Sequence, residues 1–216
     1  MLRPLLASTV LCLVLSASAH AEPTTRPAVE LFNGKDLAGW KWVSKTADSK
    51  IEDVWTVVDG NLRCKGKPAG YIHTEKDYTS FILKVEWRHL KPGNGGVLIR
   101  LQEPHKVWPK SIECQGQYQN AGDIWNIDNY KMTLDPERTK GRRTIKAKPS
   151  NEKEAKPEGG EWNTYEIIMD GTNLTVKVNG EVQNQATDVE VLPGKIALQS
   201  EGSEYEFRRV TLIPLD

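Results

Sequence analysis

Three dipeptides, Asp59-Gly60, Asp170-Gly171 and Asn179-Gly180, constrain this chain more than any other feature. Each sits between short runs in which apolar and polar residues alternate. Asx-Gly pairs accept the left-handed turn geometry that matches the twist of paired strands, so each predicts a β-hairpin. "WNTYEIIMDGTNLTVKVNGEVQN" holds two of them and reads as a three-stranded meander. "FILKVEWRHL" sets Phe81, Leu83, Val85 and Trp87 on one face against Ile82, Lys84, Glu86 and Arg88 on the other. "GGVLIRLQ", "SIECQGQYQ" and "GKIALQSEG" continue the strand signal. In "YEFRRVTLIPL" the apolar phase changes between Phe207 and Val210, which predicts a bulge near Arg208-Arg209. Long helical periodicity is absent. Ten or more short strands separated by turns make an all-β sandwich or barrel.

The ends lie outside this pattern. Residues 1–21 carry an early Arg3, an apolar run from Leu5 to Leu15 and a small-residue ending, Ala19-His20-Ala21. That is the layout of a cleaved export signal, with an apolar run short for a membrane span. Residues 22–29 are Pro-rich and read as a flexible leader, leaving 30–216 as one domain, exported to the periplasm or medium. The 29 basic and 29 acidic residues cancel, which gives no electrostatic reason to expect nucleic acid or membrane as a partner. Oligomeric state is not readable. Cys64 and Cys114 lie beyond the signal, each on the apolar side of a strand; a disulfide or two buried thiols both fit. Residues 135–160 are charged and Pro-containing with few large apolar residues, and read as a mobile surface excursion with a helical turn near "SNEKEAK". Its basic cluster (Arg138, Lys140, Arg142, Arg143) could border a site.

One strand has an unusual polar face. In "SIECQGQYQ", Ile112 and Cys114 point one way and Glu113, Gln115 and Gln117 the other. A solvated sheet face favours Thr or Lys, so a carboxylate and carboxamides in series point to the floor of a polar site. Plain solvation is the alternative. The same alternation places Arg100 opposite Val97 and Ile99, and Gln199 and Glu201 opposite Ile196 and Leu198. The expected set is therefore Arg100, Glu113, Gln115, Gln199 and Glu201. The following loop, "QNAGDIWNIDNY", offers Asp123, Trp125 and Tyr130 as a pocket wall, with packing of Trp125 onto the core as the alternative. Trp40 and Trp42 read as structural, and Trp55, Trp87 and Trp162 as core.

Six segments in order, "LFNGKDLAGWKW", "VWTVVDGNLRCKG", "FILKVEWRHLKPGNGGVLIR", "IECQGQYQNAGDIW", "GGEWNTYEIIMDGTNLTVKVNG" and "GKIALQSEGSEYEFRRVTLIPL", resemble the 3-keto-disaccharide hydrolase domain family over about Glu30 to Pro214. The resemblance implies a two-sheet antiparallel jelly roll of concanavalin A type with one concave sheet. It also implies an activity: cleavage of glycosides already oxidised to a ketone at C3. This chain has Glu201 in "LQSEG" where many relatives carry a His.

The chemistry narrows the roles. A C3 ketone acidifies the C2 proton, so one base and one positive group at the ketone oxygen suffice. Glu113 as base and Arg100 as stabiliser fit, with Gln115, Gln199, Glu201, Glu86, Asp123, Trp125 and Tyr130 around the sugar. A two-carboxylate glycosidase, as in the laminarinase-like glucanases the opening stretch resembles, needs a partner for Glu113 that its own strand lacks; Glu86 or Glu201 would have to supply it. His73, His89 and His105 show no short ligand spacing, so a divalent metal would rest on Glu113 with Glu86 or Glu201. The rival function on the same face is a lectin-like carbohydrate-binding module. Both take a carbohydrate or an oxidised sugar as ligand, and the sugar and linkage stay open.

Overall fold

The structure is a computed structural model that describes residues 26–103 and 106–215. The export signal read over residues 1–21 and His105 fall outside those residues, as does the first half of the leader read over 22–29. The strands run β1 (Val29–Glu30), β2 (Trp40–Ser44), β3 (Trp55–Val58), β4 (Asn61–Cys64), β5 (Gly70–Thr74), β6 (Phe81–His89), β7 (Gly96–Leu101), β8 (Ser111–Gln115) and β9 (Ile124–Ile127). They continue as β10 (Thr133–Leu134), β11 (Thr139–Lys140), β12 (Arg143–Thr144), β13 (Asn163–Asp170), β14 (Asn173–Val178), β15 (Glu181–Thr187), β16 (Lys195–Ser200) and β17 (Tyr205–Pro214). A four-residue helical turn, α1 (Ile51–Val54), precedes β3.

These strands form two antiparallel sheets. The first has the order β10-β15-β14-β13-β6-β17-β4-β3, with β1 added on β17. The second has the order β11-β12-β9-β8-β7-β16-β5-β2. The fold is a concanavalin A-like jelly-roll sandwich. Its main hydrophobic core takes Leu83, Val85 and Tyr165 from the first sheet and Val97, Ile112 and Leu198 from the second. The alternation read from β6 is the observed one: Phe81, Leu83, Val85 and Trp87 are buried, whereas Lys84 is exposed.

The hairpins form where the Asx-Gly pairs stand. Asp59 and Gly60 both have positive φ, as do Asn179 and Gly180, and the Asp170-Gly171 turn closes β13 onto β14. Against β6, the register of β17 shifts between Phe207 and Arg209, at the bulge expected there. Cys64 and Cys114 are free, buried, and on different sheets.

Two expectations fail. The stretch 135–160 contains no helical turn; β11 and β12 extend the second sheet beyond β9, and residues 151–156 carry no regular element. Side chains anchor the remainder: Asn151 Nδ2 donates to the Val178 carbonyl (3.0 Å) and Asn163 Oδ1 accepts from the Lys153 amide (2.8 Å). Composition hides this because the partners are distant in sequence. Trp162 is not core. It lies half-buried between the guanidinium groups of Arg88 (4.4 Å) and Arg208 (4.7 Å). Among the described residues, no helix is long and apolar enough to cross a membrane.

Candidate active site

The outer face of the second sheet answers whether β8 is simply solvated. All five residues of β8 are buried, so neither face meets water freely. Cross-strand register builds the floor: Glu113 lies opposite Leu98 on β7 and Trp125 on β9, and Gln115 opposite Gly96. Gln199, on β16, reaches across the same level. A Cβ on Gly96 would lie 2.5 Å from Gln199 Oε1, so the glycine leaves the space that Gln199 occupies.

An open cavity of about 230 Å³ stands on this floor. Glu113, Gln115, Gln199 and Glu201 line it from β8 and the end of β16, and Asn94, Trp108, Trp125, Ile127 and Arg142 complete its walls. Beside it lies a small apolar cluster of Tyr71, Leu98, Leu101 and Ala197, packed against by Val43 and Trp108. The Tyr71 hydroxyl donates to the Lys106 carbonyl (2.9 Å), tying the β7–β8 loop down over that end of the sheet.

Glu113 is 6% exposed. Burial, reinforced by the neighbouring Glu201, pushes its carboxyl up to about 8, against a smaller opposing pull from the Gln199 amide and Arg142. The Glu201 carboxyl is also raised by burial and accepts from Asn94 Nδ2 at 2.8 Å. Gln115 Oε1 accepts from the Gln117 amide (2.9 Å), which fixes its carboxamide. Gln199 Oε1, Asn94 Oδ1 and Trp125 Nε1 are buried without a hydrogen-bond partner among the described residues. Unsatisfied buried polar atoms are costly, and three around one cavity suit a polar ligand.

Four of the expected residues are elsewhere. Arg100 sits in a bulge of β7, with φ 48°, where the register against β16 slips between Lys195 and Ala197. The slip puts Arg100 on the same side as Ile99. Its fully buried guanidinium donates to the carbonyls of Thr79 (3.0 and 2.7 Å), Glu190 (2.8 Å) and Gly171 (2.8 Å). It is a structural tie, and Arg142 on the β11–β12 turn is the cation that borders the cavity. Glu86 belongs to the first sheet, where it pairs with Arg208 and Arg209. Asp123 is fully buried against Arg143. Tyr130 packs in the core with its hydroxyl donating to the Glu190 carbonyl (3.1 Å). Trp125 does line the cavity.

The sequence reading missed Asn94, Trp108 and Ile127; Arg142 it named only within a basic cluster that could border a site. The glycine pair in "GNGG" marked the close approach at Gly96, and the basic run marked Arg142. Nothing local marked Trp108. Among the described residues, no group of three His, Cys, Asp or Glu is placed to hold a metal ion. His73 bonds its neighbour's carbonyl, at Thr74 (2.9 Å). His89 is enclosed by Trp87, Tyr118 and Tyr205, with Nε2 2.9 Å from the Gly116 carbonyl.

Comparison with known proteins places these features in a context. The family model of the 3-keto-alpha-glucoside-1,2-lyase-like domain matches residues 27–213. A 3-keto-disaccharide hydrolase of Bacteroides thetaiotaomicron is 28% identical over 158 residues, covering 65% of this chain and 52% of that protein. The match thus spans about half the length of that relative. A crystal structure from Parabacteroides distasonis ATCC 8503, provisionally named a glycosyl hydrolase, is 25% identical with TM-score 0.62, covering 88% of this chain and 94% of its own. The kappa-carrageenase of Pseudoalteromonas carrageenovora shares the fold at 10% identity and TM-score 0.57, covering 93% and 100%.

Proposed function

Because the chain belongs to the 3-keto-alpha-glucoside-1,2-lyase-like domain family, we propose that it is an exported enzyme that cleaves 3-keto-glycosides at the cavity over Glu113. The observation that carries this reading is a buried carboxylate of raised basicity, Glu113, facing an open polar cavity with the half-buried Glu201 and an arginine at its rim. A glycoside oxidised at C3 needs that arrangement. The Glu113 carboxylate takes the C2 proton, and the C–H electron pair moves into the enolate of the C3 ketone. Arg142 stabilises the negative charge on the enolate oxygen, in the role expected of Arg100. Collapse of the enolate breaks the C1–O bond, and the departing oxygen takes a proton to leave as an alcohol. Water then adds across C1 and C2, with OH to C1 and H to C2, for a net hydrolysis.

Burial and the Glu201 charge make Glu113 a stronger base, matched to a carbon acid of this kind. Gln115 and Gln199 hold sugar hydroxyls; Trp108 and Trp125 supply apolar walls for the ring. The same unsatisfied atoms would serve a lectin-like module that binds sugar without cleaving it, and turnover separates the two readings. A chromogenic 3-keto-β-glucoside and its unoxidised parent, incubated in buffered D₂O and followed by NMR, test the proposal. Expected are aglycone release and C2 deuteration from the keto form alone. Glu113→Gln should reduce both by about 10²–10⁴-fold. Release from both substrates would point to a glycosidase using Glu113 with Glu201. Sugar binding without release from either would leave the module.

A further inference from the structure

Asp123 was expected to touch substrate, yet it is fully buried behind the cavity wall. Its carboxylate holds the hairpin β11–β12 from the side. Oδ2 accepts from Arg143 Nε and Nη2, both at 2.6 Å, and Oδ1 accepts from the Lys146 amide at 2.7 Å. The hairpin also joins the sheet through a short ladder, with Arg143 opposite Trp125, Thr144 opposite Ile124 and the Asn126 amide donating to the Arg142 carbonyl at 2.8 Å, and its far end is tied to β15 where Asn184 Nδ2 donates to the Thr144 carbonyl at 3.1 Å. The Arg143 guanidinium also lies over the Trp125 ring, 5.9 Å from its centroid. Two cavity-lining residues therefore connect to one buried anion: Trp125 through the Arg143 stack, and Arg142 through Arg143, the residue that follows it.

We propose that Asp123 is a positioning residue that sets the Arg142–Trp125 wall of the cavity by locking the β11–β12 hairpin onto β9. A two-residue strand contributes too few ladder bonds to hold a turn still, whereas a charge-assisted, bidentate pair shielded from water fixes both distance and orientation. Asp123 itself is kept in place from below. Its amide donates to the Asn120 carbonyl (3.2 Å), and the preceding Ala121 amide donates to the buried Glu152 carboxylate (3.1 Å).

The inference rests on the Glu113 cavity being the reaction site, and the test separates the two. The charged groups that face Glu113 are Glu201, at the end of β16, and Arg142, on the hairpin turn. Arg142 holds the Glu113 titration down. Releasing the hairpin should therefore raise it, whereas the direct electrostatic effect of deleting the Asp123 charge would lower it. Carboxyl ¹³C NMR of Glu-labelled protein, with Glu113 assigned through Glu113→Gln, reads that titration without any turnover. Expected is an upward shift in Asp123→Asn, a shift of the same sign in Arg142→Gln, and no further shift in the double variant. kcat/KM on the 3-keto-glucoside should fall about tenfold in each single variant without multiplying in the double.

An unchanged or lowered titration in Asp123→Asn, or shifts that add in the double variant, would overturn the positioning role. If Asp123→Asn does not fold, Arg143→Gln removes the same pair from its half-exposed side; losing that cation raises Glu113 by itself, so the reading there is whether the shift adds to that of Arg142→Gln, which would overturn the role, or does not, which supports it. Absence of turnover with the shift present would overturn the function and keep the strut. Normal turnover with no shift would do the reverse.

Discussion

Glu113 and His89 pull the stability of this protein in opposite directions with pH. Glu113 is raised in the fold to about 8, so between its ordinary value of 4.5 and 8 the folded state holds more protons than the unfolded one. Stability from that group is present at low pH and falls through this window, by up to ~1.4 kcal/mol per pH unit for one proton. His89 is held down to about 4 by burial, so between 4 and 6.5 the unfolded state binds the extra proton and stability rises with pH. Urea unfolding across pH 4–9 should show a broad maximum in the mildly acidic range. Glu113→Gln should flatten the decline above pH 6.5 and steepen the rise below it, because the two groups offset one another between pH 4.5 and 6.5. Activity follows the opposite trend: the ionised base accumulates as pH rises, so kcat/KM should climb towards pH 8.

Elements differ in how far they could be read from the chain. β6, β13 and β14 are legible because alternation and Asx-Gly turns are local signals; the β17 bulge was legible because the apolar phase visibly changes. The β7 bulge was not, since nothing in "VLIRL" marks a change of phase, and it takes a tertiary contact with three carbonyls to draw Arg100 inward. The site followed the same division. Glu113, Gln115 and Gln199 share a face by simple period, whereas Arg142, Asn94 and Trp108 reach the cavity from loops whose placement depends on distant contacts. Arg100→Met should cost about 2–3 kcal/mol in urea unfolding, because it takes the guanidinium donors from the Thr79 and Gly171 carbonyls, while that of Glu190 keeps the Tyr130 hydroxyl. Turnover per folded molecule should be retained. In the β14–β15 turn, Gly180 has φ 81°, so Gly180→Ala should cost about 1–2 kcal/mol by the same measurement.

At the scale of the whole molecule, the two sheets are joined by packing and by few polar links. Tyr165 supplies one: from β13 its buried hydroxyl donates to the Gln115 carbonyl on the opposite sheet and accepts from the Gly122 amide at 2.8 Å. Tyr165→Phe should cost about 1–2 kcal/mol and be read as a lowered urea midpoint, because the two backbone groups would keep only their long bond to each other, 3.3 Å. Among the described residues no covalent link backs this up, since the thiols of Cys64 and Cys114 are free and on different sheets. The domain therefore acquires its shape without an electron acceptor. Its refolding yield should be the same in dithiothreitol as in air, and a cell compartment with no thiol-oxidising machinery would suffice to make it.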